Sequence, residues 1–197
     1  MKRTAYAGTF RKTDLGRTIY ACGWVESVRD HGGLIFIDLR DRTGILQLVC
    51  DPAKQPQVHA LASQVRDEWV LGAEGAVVAR SPETVNPNLP TGEIEVAVAH
   101  LEVLNKCKPL PFQISHGGLN EEIRLKHRFL DLRRPQMQKN IAFRSAVTAL
   151  TRNFLLENDF YEIETPFLTK STPEGARDFL VPSRLLPGNF YALPQSP

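Results

Sequence analysis

Between Thr18 and Leu104 the chain carries five β-rich runs interrupted once by a helical period, and that order constrains its fold more than any other feature. Thr18 to Val28 holds Ile19, Tyr20, Trp24, Val25 and Val28 between Gly16 and Gly32-Gly33, and reads as a strand. Leu34 to Leu39 and Ile45 to Cys50 follow. They are joined by Arg40-Asp41-Arg42-Thr43-Gly44, whose Asp and Gly favour a turn, so the two runs read as a hairpin. Val58, Leu61, Ala62, Val65 and Trp69 then fall at i, i+3, i+4, i+7 and i+11, which predicts an amphipathic helix over Gln57 to Trp69. Gly75 to Arg80 and Gly92 to Leu104 return to strand. In the second of these Ile94, Val96 and Val98 alternate with Glu93, Glu95 and Ala97, and the loop between the two holds Pro82, Pro87 and Pro90.

Three strands, a helix and two strands predict a five-stranded Greek-key β barrel of the OB-fold type, with the helix between strands three and four. This module is expected over residues 1–105. Lys106 to Pro111 carries two prolines and ends it, and residues 106–135 read as a hinge. Pro135 suits the first turn of a helix running to about Asn158. On that helix Phe143, Val147, Leu150 and Phe154 form one stripe, with Ala142, Ala146 and Ala149 leaving room for close packing. Phe160 to Thr165 is expected to be a strand stopped by Pro166, and Phe190 to Leu193 another. Residues 136–197 thus read as the beginning of an α+β domain with too few strands to close a core of its own.

The 197 residues are 42% hydrophobic and 23% charged, which suits a chain that buries a core and excludes a disordered or fibrous one. No window approaches the roughly eighteen consecutive apolar residues of a membrane helix, and no h-region follows the basic start, so the chain reads as cytosolic and without a membrane partner. Cys22, Cys50 and Cys107 are odd in number and far apart, which argues against disulfides and against a structural zinc site. Net charge is only +2, but it is unevenly placed: residues 1–105 carry −2 and residues 106–197 carry +4. Arg124, Lys126, Arg128, Arg133, Arg134 and Lys139 crowd one stretch against a single Asp131, a cluster suited to phosphates or to a solvated face.

The period-two rule turns Ile35, Ile37 and Leu39 to one face of the second strand and Leu34, Phe36 and Asp38 to the other. If the hairpin turns near Asp41-Arg42, Gln47 lies roughly opposite Phe36. An aromatic ring beside an amide, with Arg29 on the adjoining strand end, is the set that a single-stranded base needs: stacking, edge hydrogen bonds and a cation for the phosphate. An ordinary core aromatic is the other reading of Phe36. The chain lacks a P-loop, a G-x-G-x-x-G turn after a strand and a G-x-S-x-G elbow. Thr169 to Phe179 is polar and turn-prone, and holds Glu174, Arg177 and Asp178, charges that suit a small zwitterion or plain solvent.

Several stretches together resemble the bacterial aspartyl-tRNA synthetases: Cys22-Gly-Trp-Val25, Arg29-Asp30, Leu34 to Arg40, Thr91 to Val96, Arg124 to Pro135, Tyr161 to Pro166, Thr169 to Ser183 and Phe190 to Pro197. The resemblance runs along the whole chain in order. Pro173-Glu-Gly-Ala-Arg-Asp-Phe179 looks like the aspartate enzyme rather than its asparagine and lysine relatives. It implies an aspartate–tRNA ligase, dependent on ATP with Mg²⁺, whose barrel binds the anticodon of tRNA-Asp. In it Phe36 would stack on a base, Gln47 and Glu93 would read base edges, and Arg29 would meet the backbone. The hinge would touch the tRNA between its ends. The helix and segment ending at Pro166 would be motif 1, which forms a homodimer, and Glu174 and Ser196 would line the L-aspartate pocket. Motifs 2 and 3, which hold ATP, would lie beyond Pro197, so the resemblance places no complete catalytic set and no resident metal here. His31 matches relatives that also charge tRNA-Asn, whereas Glu83 stands where those relatives have Gly. A free-standing OB-fold RNA-binding module without catalysis, and a dimerisation piece without an RNA role, are the competing readings.

Overall fold

A computed structural model of the chain describes residues 2–115, 118–171 and 178–193. The chain divides into two compact units, Met1–Gln113 and Ile114–Pro197.

In the first unit the strands β1 (Thr18–His31), β2 (Leu34–Asp41), β3 (Gly44–Cys50), β4 (Val70–Ala79) and β5 (Ile94–Asn105) form a closed barrel in the order β1-β2-β3-β5-β4. All neighbours are antiparallel except β3 and β5, which run parallel with Leu48 opposite Val96. One helix, α1 (Pro56–Ala62), lies between β3 and β4 in the chain. This is the five-stranded barrel plus helix that the sequence order predicts. Alternation fills it: Ile35, Ile37 and Leu39 from β2, Leu46 and Leu48 from β3, Leu71 and Val77 from β4, and Ile94 and Val96 from β5 are all buried. Leu34, Phe36 and Asp38, on the other face of β2, are half-buried.

Three details depart from expectation in this unit. The helix ends at Ala62 rather than Trp69, because the chain turns through Ser63 to Glu68, where Glu68 has a φ of 62° and donates its N–H to Val25 O. Val65 still packs in the core, so helical spacing appears where turns bring the residues inward. The fourth strand starts at Val70, not Gly75, since Trp69 O already accepts the N–H of Val25 and carries the ladder on. The β2–β3 turn is centred on Arg42-Thr43, with Asp41 opposite Gly44, so Gln47 faces Asp38 and Phe36 faces Val49.

In the second unit α2 (Glu121–Lys126), α3 (Arg128–Asp131) and α4 (Pro135–Glu157) precede a two-stranded sheet of β6 (Phe179–Pro182) and β7 (Phe190–Leu193). Residues 160–165 are not a strand; among the described residues they have no ladder partner, and Tyr161 and Ile163 are exposed. The strand that was not anticipated, β6, is four residues long and ends in proline, too short for a period to register. Thr169 bridges to Ala192 beside it. The Phe143, Val147, Leu150 and Phe154 stripe exists on α4 but is uncovered, and no residue of that helix is buried.

The barrel is tight enough to require glycine where strands approach. A Cβ on Gly75 would lie 2.1 Å from Ala97 O across the β4–β5 ladder. Gly75→Ala is therefore expected to destabilise the chain by about 1–3 kcal/mol through forced strand separation. The shift in urea midpoint at unchanged m-value measures it, and an unchanged midpoint would remove the constraint.

Candidate nucleic-acid interface

Closure of the barrel turns the polar alternate positions outward into one row that crosses four strands. Arg29 on β1 pairs in register with Phe36 on β2. From there the Arg29 guanidinium donates through Nη2 to both carboxylate oxygens of Asp38, at 3.1 and 3.0 Å, and to Gln47 Oε1 at 3.2 Å. Ser27 Oγ donates to Asp38 Oδ2 at 3.0 Å. On β3, Gln47 completes its amide by donating Nε2 to Glu95 Oε2 on β5 at 2.8 Å. Gln47 is only 6% exposed although it is polar, because Arg29 and Glu95 flank it on either side.

Arg80 closes the row at the end of β4. It is 8% exposed, and its Nε donates to Ile94 O at 2.9 Å, while Nη2 is buried without a hydrogen-bond partner among the described residues. Burial pushes the Arg80 pKa down, against the opposing pull of Glu95 and then Asp38. An unmet buried donor leaves this end of the row one acceptor short among the described residues.

Of the residues marked in the sequence, Arg29, Phe36 and Gln47 are brought together. Glu93 is not in the row: it is exposed just before β5 and pairs with Lys12 at 2.5 Å. Glu95 sits two residues on, where the same alternation puts it on the same face and beside Gln47; the period signals both glutamates but not which one meets β3. Asp38 and Arg80 were not singled out. The period did put Asp38 on Phe36's face, whereas nothing in the sequence marks Arg80. His31 lies at the exposed end of β1, next to the Gly32-Gly33 turn with its φ of 62° and 86°, and Glu83 is exposed in the 3-10 turn Pro82–Thr84. Pro166 is exposed. Glu174 and Ser196 lie outside the described residues.

A second charged feature belongs to the other unit. Asp131 is fully buried and accepts hydrogen bonds from Arg124 Nε at 2.9 Å, from Arg128 and from Arg134 Nη1 at 3.3 Å. One carboxylate thereby holds three of the clustered arginines at the junction of α2, α3 and α4. Arg124, first, holds the Asp131 carboxyl below the usual carboxylate range, with Arg134 adding to it against the cost of burial. Among the described residues no group of His, Cys, Asp or Glu is placed to hold a metal, and no helix is long and apolar enough to cross a membrane.

Comparison with known proteins gives the setting. The family described as "OB-fold nucleic acid binding domain" matches residues 19–104, and "tRNA synthetases class II (D, K and N)" matches residues 120–197. The chain is 54% identical along its whole length to an aspartate–tRNA(Asp/Asn) ligase of Geotalea uraniireducens and covers 33% of that protein. It is 56% identical over its whole length to an aspartate–tRNA ligase of Geobacillus kaustophilus, covering 34% of it. It therefore spans about a third of the length of the curated relatives it matches. In fold it is similar to asparaginyl-tRNA synthetase of Pyrococcus horikoshii complexed with asparaginyl-adenylate, with a TM-score of 0.83 at 24% identity, covering all of this chain and 43% of that one. An aspartyl-tRNA synthetase of Entamoeba histolytica matches at a TM-score of 0.70 and 22% identity over 79% of this chain and 38% of that one.

The Asp131 carboxylate has a testable pH signature. A carboxyl whose folded pKa is depressed stabilises the fold above its unfolded pKa of about 4, and that contribution is lost as pH falls through the depressed value. Thermal midpoints should fall as the solution is acidified below about pH 4, and Asp131→Asn should flatten that part of the profile while lowering stability at neutral pH. An identical acid profile in the variant would show that the three arginines do not depend on this charge.

Proposed function

We propose that the chain belongs to the class II tRNA synthetase family, in its aspartate–tRNA ligase branch, and that the protein of which it forms part joins L-aspartate to tRNA-Asp with ATP and Mg²⁺. In this reading the first unit binds the anticodon. The observation that carries it is the row of Arg29, Asp38, Gln47 and Glu95 beside a half-buried Phe36, with the buried N–H of Arg80 still unmet.

Each side chain has a task that follows from its chemistry. Phe36 offers a ring face, which any base can stack on, and Val49 is its cross-strand partner on β3. Gln47 carries one donor and one acceptor side by side, the pattern needed to read a base edge. Glu95, or Glu93 if its ion pair opens, accepts from a base amino group. Arg29 exchanges its carboxylate for a phosphate, and the free N–H of Arg80 seeks a carbonyl or phosphate oxygen.

The remaining roles rest on the family. Residues 106–135, with the arginines gathered by Asp131, act as a hinge that meets the tRNA between its ends. The uncovered stripe of α4 and the segment to Pro166 form the homodimer contact. Glu174 and Ser196 line the aspartate pocket, with Glu174 facing the substrate ammonium. ATP is held by parts of the longer protein, and the whole works in the cytoplasm. The chain spans about a third of its relatives' length, and formation of the adenylate is assigned to the longer protein.

Phe36→Ala should weaken tRNA binding by about 1–3 kcal/mol, five- to more than a hundred-fold, while leaving the salt dependence of binding unchanged, since a ring carries no charge. Fluorescence anisotropy over a salt series reads both quantities; unaltered affinity in a folded variant would end the stacking role.

Relaxed tRNA choice is the finer proposal. His31 supports it, as do the relatives named for both tRNA-Asp and tRNA-Asn, while Glu83 departs from their pattern. The full-length protein should charge the two purified tRNAs at comparable kcat/KM, and a strong preference for tRNA-Asp would refute this.

A further inference from the structure

The N-terminal segment ahead of β1 holds an arrangement outside the polar row. The guanidinium carbons of Arg3 and of Arg42 each lie 4.5 Å from the centroid of the Tyr6 ring. Arg42 comes from the turn between β2 and β3, so the ring joins two distant stretches of chain. Twice 4.5 Å, about 9 Å, is the most that can separate the two cations.

Both supports of this stack are locked. Buried Asp41 accepts the N–H of Ala7 at 2.6 Å, the N–H of Thr43 at 2.8 Å and the Thr43 hydroxyl at 2.7 Å. Thr43 Oγ1 in turn accepts from Gly8 N at 2.9 Å, and a Cβ on Gly8 would meet Thr43 O at 2.3 Å. Ahead of Tyr6, Thr4 exchanges two hydrogen bonds with the backbone of Tyr20, each 2.9 Å. Thr4, between Arg3 and Tyr6, and Ala7 and Gly8, after Tyr6, are thus fixed to the barrel.

Among the described residues neither Arg3 nor Arg42 has an ion-pair partner, whereas the nearby Lys12 and Arg17 are paired with Glu93 and Asp14. Asp41 is turned inward and its oxygens are engaged. Two cations held against their repulsion by one neutral ring suit a single anion with oxygens for both. Planar guanidinium groups match phosphate in that way.

We propose that Arg3, Tyr6 and Arg42 form a phosphate clamp for the backbone of the RNA whose bases lie on the Phe36 row. Its position selects RNA: Arg42 is four residues along the hairpin from Asp38, about 13 Å at strand spacing, so a strand lying along β2 and β3 passes over it. The inference rests on the RNA-binding reading above. Tyr6 is a positioning residue, and the two arginines make the contact.

The test is the slope of log affinity against log salt for the 197-residue chain with a tRNA and with a single-stranded RNA of unrelated sequence. Arg3→Gln/Arg42→Gln should lower the slope by about 0.7, one phosphate contact, with an equal loss of about tenfold in affinity for both RNAs. Arg3→Lys/Arg42→Lys should retain most of the slope, and Lys54→Gln, a loss of charge beside α1, should retain all of it. Thermal midpoints establish that each variant is folded. An unchanged slope in the glutamine variant, or an equal drop in Lys54→Gln, overturns the clamp while Phe36→Ala still reports on the row. Absence of RNA binding by the unaltered chain overturns both.

Discussion

Closing five strands into a barrel leaves each of them one inward and one outward set of side chains, and everything at the candidate interface depends on that division. Inside, Ile37, Leu39, Leu46, Leu48, Leu71, Val77, Ile94 and Val96 lose all contact with water. The intervening positions are thereby forced outward in a fixed register. Because β3 pairs with β2 on one side and β5 on the other, Gln47 is carried between Asp38 and Glu95 with no freedom to choose other neighbours. The recognition row is a consequence of packing, not an addition to it.

Much of this was legible because period two is a local property. The five strands, the inward face of β2 and the companionship of Phe36, Gln47 and Arg29 follow from single runs of sequence. The register was not, because it depends on where the β2–β3 turn is centred: a shift to Arg42-Thr43 moves Gln47 from Phe36 to Asp38. Which of Glu93 and Glu95 hydrogen-bonds Gln47 was not legible either, since they alternate on one face and only the start of the β5 pairing separates them. Val65 and Trp69 kept a helical spacing that turns, not a helix, fulfil. Arg80 carries no local signal, as its meaning comes from burial between strands distant in sequence.

Asp41 shows how one buried carboxylate organises a surface. It satisfies two backbone N–H groups and a hydroxyl at the hairpin tip and the N-terminal segment, and so keeps Arg42 and Tyr6 within reach of each other. Asp131 plays the corresponding part in the second unit with three arginines. In both places a buried negative charge fixes the positions of neighbouring positive ones. The difference lies in what is left over: Asp131 pairs directly with its arginines, whereas Asp41 spends its oxygens on neutral donors and, among the described residues, Arg3 and Arg42 are left without a carboxylate.

The row on the barrel is hydrogen-bonded within itself before any base arrives, and this sets how it would discriminate. Arg29 is half exposed, whereas Asp38 is largely buried and keeps the Ser27 hydroxyl as a donor when Arg29 turns to a phosphate. Gln47 is different, because it is buried and both ends of its amide are satisfied. A base that replaces Arg29 with its own donor and Glu95 with its own acceptor leaves the amide whole. A base presenting the wrong edge leaves a buried donor or acceptor unmet, a loss of about 1–3 kcal/mol per group. Affinity in the proposed complex would then come mainly from stacking and phosphates, while selectivity comes from what a mismatched edge fails to satisfy.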